Sequence, residues 1–171
     1  MTDFKLKSSD NGQYQYEYDL RNPEKYDWIG LGSYAISLVS DDSFSKAIKL
    51  VNPCSIDDYA KRVSELHTTW DTCFEMNNDD LKLYWLTRQV KGTTISAKEY
   101  RMLFKTELNN DFGYELSALI SNDLITIQDD LYALTPKGFF YADTVAIWDE
   151  VSSLSIRCIH HRMKSGRNAT P

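Results

Sequence analysis

The chain has 171 residues, of which 42% are hydrophobic, 13% aromatic and 26% charged, with a net charge of −6. That apolar content suits one good core or two small ones, which excludes a disordered chain. The acidic balance disfavours nucleic acid as a partner, because a phosphate backbone needs clustered Lys and Arg. No apolar run approaches the roughly 20 residues that cross a bilayer, and the opening Met-Thr-Asp-Phe-Lys-Leu-Lys lacks the apolar centre of a signal peptide. A cytoplasmic protein with no membrane partner is expected.

After a polar first dozen residues, Tyr14, Tyr16, Tyr18 and Leu20 alternate with Gln15, Glu17 and Asp19, the period of two of a strand. Arg21-Asn22-Pro23-Glu24 ends that run. Residues 28–37, from Trp28 to Ser37, form a glycine-punctuated apolar strand or strand-turn, in which Gly30 and Gly32 admit the close approach of a backbone or a ligand. Residues 40–54, containing Asp41-Asp42 and Asn52-Pro53, have the pattern of an irregular connection. Ser55 and Asp58 then open a helix with Ile56, Tyr59, Val63 and Leu66 as its apolar stripe.

Asn77 or Asn78 caps the next helix, about 79–90, whose Leu81, Leu83, Tyr84, Trp85 and Leu86 form a face wide enough for burial on two sides. Thr93-Thr94-Ile95 is a short extended piece. Ser96 and Glu99 make a capping box for a helix with Tyr100, Leu103, Phe104 and Leu108 on one stripe, and residues 109–113 are the following turn. A further helix turns Leu116, Leu119 and Ile120 inward and ends at Ser121-Asn122. Residues 124–127 and 131–134 are β-prone runs joined by Gln128-Asp129-Asp130, a hairpin with an acidic tip. Thr135 as N-cap and Pro136 at the first helical position start a last helix that extends to about 156.

The order helix, short strand, helix, helix, strand, wing, strand predicts an α+β chain with a winged-helix domain over 76–156. A β-containing segment over 1–54 and a linking helix and connection over 55–75 precede it, and a basic flexible tail over 157–171 follows. In a DNA-reading winged helix the second helix of the pair offers Arg, Lys, Asn or Gln to base edges. Here residues 114–121 are Tyr-Glu-Leu-Ser-Ala-Leu-Ile-Ser, with one acid and no base.

Cys54, Cys73 and Cys158 are widely spaced, which fits neither a disulfide framework nor a CxxC metal pair. His160 and His161 lie close to Cys158, but adjacent histidines on a helix diverge by about 100° and chelate poorly. A polar chain end is the simpler expectation.

Several segments, in order, resemble the C-terminal part of the oxygen-independent coproporphyrinogen III oxidase family of radical S-adenosylmethionine (SAM) enzymes, which also includes haem chaperones. Residues 30–37, Gly-Leu-Gly-Ser-Tyr-Ala-Ile-Ser, are similar to the family's GLGAGAHS near the end of the catalytic barrel, with Tyr34 and Ile36 in place of Gly and His. Asn52 and Asp57-Asp58-Tyr59 follow, then Phe112-Gly113, Leu124-Ile125, Leu134-Thr135-Pro136-Lys137-Gly138 and Ala142-Asp143, similar to the family's FG, GLI, LTPxG and DN run. The family binds its [4Fe–4S] cluster through a CxxxCxxC triplet that these 171 residues do not contain.

The resemblance therefore implies a non-catalytic or accessory protein with no evident cofactor. It would dock to a radical SAM barrel protein or to a second copy, or cover a tetrapyrrole substrate. Trp28, Gly30, Gly32 and Tyr34 would form the interface or pocket edge, since a strand cut from a barrel seeks pairing. One alternative is a haem- or tetrapyrrole-binding protein that uses Trp28, Tyr34 and Trp85 with His160 as axial ligand. The other is a winged-helix transcriptional regulator that uses its wing and the basic residues Arg157, Arg162, Lys164 and Arg167.

Overall fold

In the computed structural model, which describes residue 19 and residues 21–142, the chain divides into two units. One is Asn22–Leu81, and the other joins Lys82 and the residues after it to the segment ending at Arg21. Each carries a three-stranded antiparallel sheet, so the chain is α+β.

In the Asn22–Leu81 unit, β1 (Ile36–Ser40), β2 (Ala47–Val51) and β3 (Thr72–Met76) form a meander in that order. The register sets Ser40 opposite Ala47 and Ala47 opposite Met76, so Leu38, Ala47 and Met76 share a buried face, while Val39 and Ile48 oppose each other on the exposed one. The β1–β2 turn is organised by Asp41. Its carboxylate accepts from the backbone N–H groups of Ser45 (2.6 Å) and Lys46 (3.0 Å) and from the hydroxyls of Ser43 (2.8 Å) and Ser45 (2.7 Å). Those donors, the Lys46 N–H foremost, hold Asp41 well below the usual carboxylate range.

Residues 40–54 are not an irregular connection but the tight turn and β2, and the end of the 55–75 connection supplies β3, which completes the sheet. The helix after Ser55 is short. Ser55 Oγ does accept from Asp58 N, but α1 (Ile56–Lys61) passes into a wider π turn over Arg62–Leu66. The wider turn breaks the 3.6-residue step, and Ile56, Val63 and Leu66 are exposed rather than aligned on a buried stripe.

The division between units falls within α2 (Asn78–Lys91), whose start is capped reciprocally: Asn77 Oδ1 accepts from Asp79 N and Asp80 N, and Asp80 Oδ2 from Asn77 N. In the second unit β4 (Thr94–Ser96), β5 (Ile125–Gln128) and β6 (Leu131–Leu134) form a sheet in the order β4-β6-β5. Between β4 and β5 lie α3 (Ala97–Phe104), capped by Ser96 Oγ accepting from Glu99 N, and α4 (Leu108–Ser121). After β6, α5 (Pro136–Phe140) is capped by Thr135 Oγ1 accepting from Gly138 N, with Pro136 in its first turn.

Trp85 from α2, Tyr100 and Phe104 from α3 and Phe112 from α4 meet edge to face or tilted, with centroids 4.8–6.2 Å apart. Ile95, Leu108, Leu116, Ile125 and Tyr132 are buried as well. At one side of this core the Asp111 carboxylate accepts from Tyr100 Oη (2.7 Å) and pairs with Lys82 Nζ (2.9 Å). Burial pushes Asp111 up, but the Tyr100 hydroxyl, the Lys82 ammonium and Thr106 together bring it below its ordinary value.

The turn expected at 109–113 is displaced. The break comes at Lys105, in the left-handed region with φ 58°, and residues 109–111 already belong to α4, which is interrupted only at Phe112 (φ −133°, ψ 22°). Leu108 thus starts α4 instead of ending α3, and Ile120, expected inward, is exposed near the end of α4. Asp19 and Arg21 are helical, so a strand over 14–20 does not extend to them. The carbonyl of Thr94 accepts from the Arg21 guanidinium. The last helix, expected to run unbroken from Pro136 to about 156, ends at Phe140 with Tyr141 as its C-cap. Tyr14, Tyr16, Tyr18 and Leu20, the positions after Ala142 expected in that helix, and Cys158, His160, His161 and the basic tail lie outside the described residues.

Candidate functional site

Residues 29–36 leave Trp28, cross a bend and enter β1, and they hold the most exposed cluster of apolar side chains in the Asn22–Leu81 unit. Ile29 is 68% exposed, Leu31 81%, Tyr34 69% and Ile36 49%. Exposed apolar residues scattered singly are ordinary, but four within eight residues are not.

The backbone beneath them is held from inside. Asn52, 2% exposed, donates through its amide to the carbonyls of Gly32 (2.8 Å) and Gly30 (3.3 Å), and its own N–H donates to Ala35 O (2.9 Å). Gly30 N donates to Ser37 Oγ (3.0 Å), Gly32 N to the Tyr59 hydroxyl (3.1 Å) and Tyr34 N to Pro53 O (2.8 Å). The polar backbone groups of Gly30 and Gly32, the Tyr34 N–H and the Ala35 carbonyl are thus engaged within the unit, while the Ile29, Leu31, Tyr34 and Ile36 side chains face solvent.

The conformation is specific. Gly32 has φ 101°, a region that favours glycine, and Tyr34 has φ 61°, uncommon for an aromatic residue and held here by the Pro53 carbonyl. At Gly30 a Cβ would lie 2.5 Å from Ile36 O and 2.7 Å from Ile36 N. The close approach expected at Gly30 is met by the chain's own backbone, and that expected at Gly32 is a matter of dihedral angle, since nothing lies within 4 Å of a Cβ there.

Trp28 pairs with Leu38 in both directions, N–H to carbonyl at 2.8 and 2.9 Å. Its strand edge is therefore not an orphan, and the strands expected to seek a barrel re-pair within the chain. Trp85, considered as a tetrapyrrole-facing aromatic, is buried in the helical core against Tyr100 and Phe104 and offers no surface to a ligand. Of the expected site residues, Gly30, Gly32 and Tyr34 are tied to the Asn52–Pro53 segment, Trp28 is paired with Leu38, and His160 lies outside the described residues. Among the described residues no three His, Cys, Asp or Glu side chains converge to hold a metal ion, and Cys54 and Cys73 are free thiols.

Asn52, Ser37 and Tyr59, which hold the loop, were not identified as site residues by sequence pattern. Asn52 and Tyr59 stand out in sequence as landmarks of the family resemblance. An amide that closes a β-prone run and precedes proline was a further usable signal.

No family model and no curated protein matches this chain. Among solved structures, coproporphyrinogen III oxidase from Escherichia coli, a radical SAM enzyme, superposes with a TM-score of 0.57 at 15% identity, over 74% of this chain. The match covers 29% of that enzyme's chain. At this identity the likeness is one of fold. No helix among the described residues is long and apolar enough to cross a membrane.

Proposed function

We propose that this chain is a non-catalytic accessory protein of the oxygen-independent coproporphyrinogen III oxidase type, which docks through residues 29–36 to a radical SAM barrel protein. The observation that carries this is the pairing of exposed Ile29, Leu31, Tyr34 and Ile36 with a backbone fixed by buried Asn52. A surface ordered before binding loses little conformational entropy on association, and a rigid aromatic with flanking aliphatics is the composition of an interface anchor. The fold likeness to part of an enzyme of that type supports the relation to it. The sheet order β4-β6-β5 with its helices supports a winged-helix assignment for the described part of the region expected over 76–156, used here as a docking or substrate-covering element.

The test is co-expression of the full chain with the coproporphyrinogen oxidase-type barrel protein of the same organism, followed by affinity and sedimentation measurements. A stable complex is expected, weakened about tenfold or more by Leu31→Asp with Tyr34→Asp. A chain that stays monomeric beside that partner overturns the proposal. A saturable Soret shift on titration with haem, abolished by His160→Ala, would instead favour the tetrapyrrole-binding alternative.

A further inference from the structure

A helix of a folded unit is ordinarily stabilised by the apolar face it buries, and one of six residues is too short to persist by its own hydrogen bonds. Yet α1 has no buried residue, and neither has the π turn over Arg62–Leu66 that continues it. Ile56, its first residue, is 73% exposed. What holds the segment is polar: Ser55 Oγ accepts from Asp58 N, and the Arg62 guanidinium donates to Trp70 O (3.1 Å). The helix is thus set in place while Ile56 stays in solvent.

The same segment is tied to the 29–36 loop at two points. The Tyr59 hydroxyl accepts from Gly32 N (3.1 Å), and Pro53 O, three positions before Ile56, accepts from Tyr34 N (2.8 Å). Ile56 and Tyr59 are three positions apart and share one side of the helix. Ile56 is therefore beside the stretch that carries Leu31 and Tyr34, themselves 81% and 69% exposed, and the two segments present one apolar face. No residue from Trp28 to Ser37 is charged. Leu66 lies in a different setting, bordering a cleft with Asp58, Lys61, Arg62, Glu65 and Asp71.

The loop has eight residues, whereas a stable interface uses roughly 20–30 residues on each side. A partner that covers Leu31 and Tyr34 must extend onto the neighbouring surface, and α1 is the apolar neighbour fixed to the loop. Resting on the docking proposed for residues 29–36, we infer that α1 belongs to the same docking surface. Ile56 is a contact residue beside Leu31 and Tyr34, and Tyr59 fixes the helix against the loop. The occupant is the barrel protein that the loop engages, and the patch it sets here is apolar and uncharged, since a charge against Ile56, Leu31 and Tyr34 would be buried without a partner.

The test uses the full chain and the barrel protein of the same organism. In the complex, amide exchange over α1 should slow together with that over residues 29–36, because a helix that buries nothing in the free chain then gains cover. Ile56→Asp, at an exposed first-turn position that accepts an acid well, should leave the free chain folded and weaken the complex about tenfold. Ile56→Leu should keep the affinity, and Leu66→Asp, at the charged cleft, should change it less than about twofold. Absence of any complex with the unaltered chain overturns the docking of the loop and this inference together. A complex that Leu31→Asp with Tyr34→Asp weakens but Ile56→Asp does not, or one in which α1 exchanges as fast as in the free chain, overturns this inference alone. So does self-association of the free chain that Ile56→Asp abolishes, since a second copy would then cover α1.

Discussion

The two units solve the same problem with different chemistry. The Asn22–Leu81 unit fixes its 29–36 loop with a buried amide and its β1–β2 turn with a carboxylate, while the unit after Lys82 packs Trp85, Tyr100, Phe104 and Phe112 against one another. Polar fixation is directional and specifies one backbone path. Aromatic packing contributes more stability and tolerates more change in detail.

The sharpest way to break that contrast is Trp85→Ala, which removes the ring that Tyr100 and Phe104 pack against and should cost about 3–5 kcal/mol in urea unfolding of the second unit. Gly138→Ala is expected next, at about 2–3 kcal/mol, because the added Cβ would collide with the backbone carbonyl of Leu124. The same unfolding measured with Gly113→Ala, where a Cβ would meet only Asn109 Cβ at 4.0 Å, an ordinary contact, provides the control.

Asn52→Ala should cost about 2 kcal/mol by leaving the Gly30 and Gly32 carbonyls without their donor. Amide exchange over residues 29–36 should rise while the resonances of Tyr100 and Tyr132 stay in place. If those resonances move as well, the loop's polar fixation is not local to its unit.

The smallest effect concerns Asp41. Its folded-state pKa lies below the ordinary value of 3.8, so its contribution is present above that value and is lost as pH falls below it. Loss of the β1–β2 turn's amide protection as pH falls from 5 to 2 is expected, and Asp41→Asn should flatten that dependence.

What was legible in the sequence follows the same division. The caps at Ser55, Asn77, Ser96 and Thr135 could be read because an N-cap and its partner lie within three residues of each other. The β5–β6 hairpin could be read because two β-prone runs bracket a short acidic turn. Strand β2 was hidden, since Ala47-Ile48-Lys49-Leu50-Val51 lies between Asp41-Asp42 and Asn52-Pro53 and its pairing with β3 spans the whole α1 region. The π turn at Arg62–Leu66 and the interruption at Phe112 defeat a fixed 3.6-residue period. The candidate loop was recognised by its glycines, but its fixing by Asn52, Ser37 and Tyr59 is a set of contacts between separate segments and has no local pattern.

The position of Asn52 immediately before Pro53 has a chemical consequence. Asparagine ages by attack of the following residue's backbone nitrogen on the side-chain amide carbonyl, closing a succinimide that opens to aspartate or isoaspartate. Proline has no N–H to lose, so that ring does not readily form at Asn52. A carboxylate could not donate to the carbonyls of Gly30 and Gly32, so the amide that holds the loop occupies a position protected from conversion to one. Over long storage the first acidic charge variants should arise at Asn11-Gly12, where the following nitrogen is unhindered, and the shape of the 29–36 loop should outlast them.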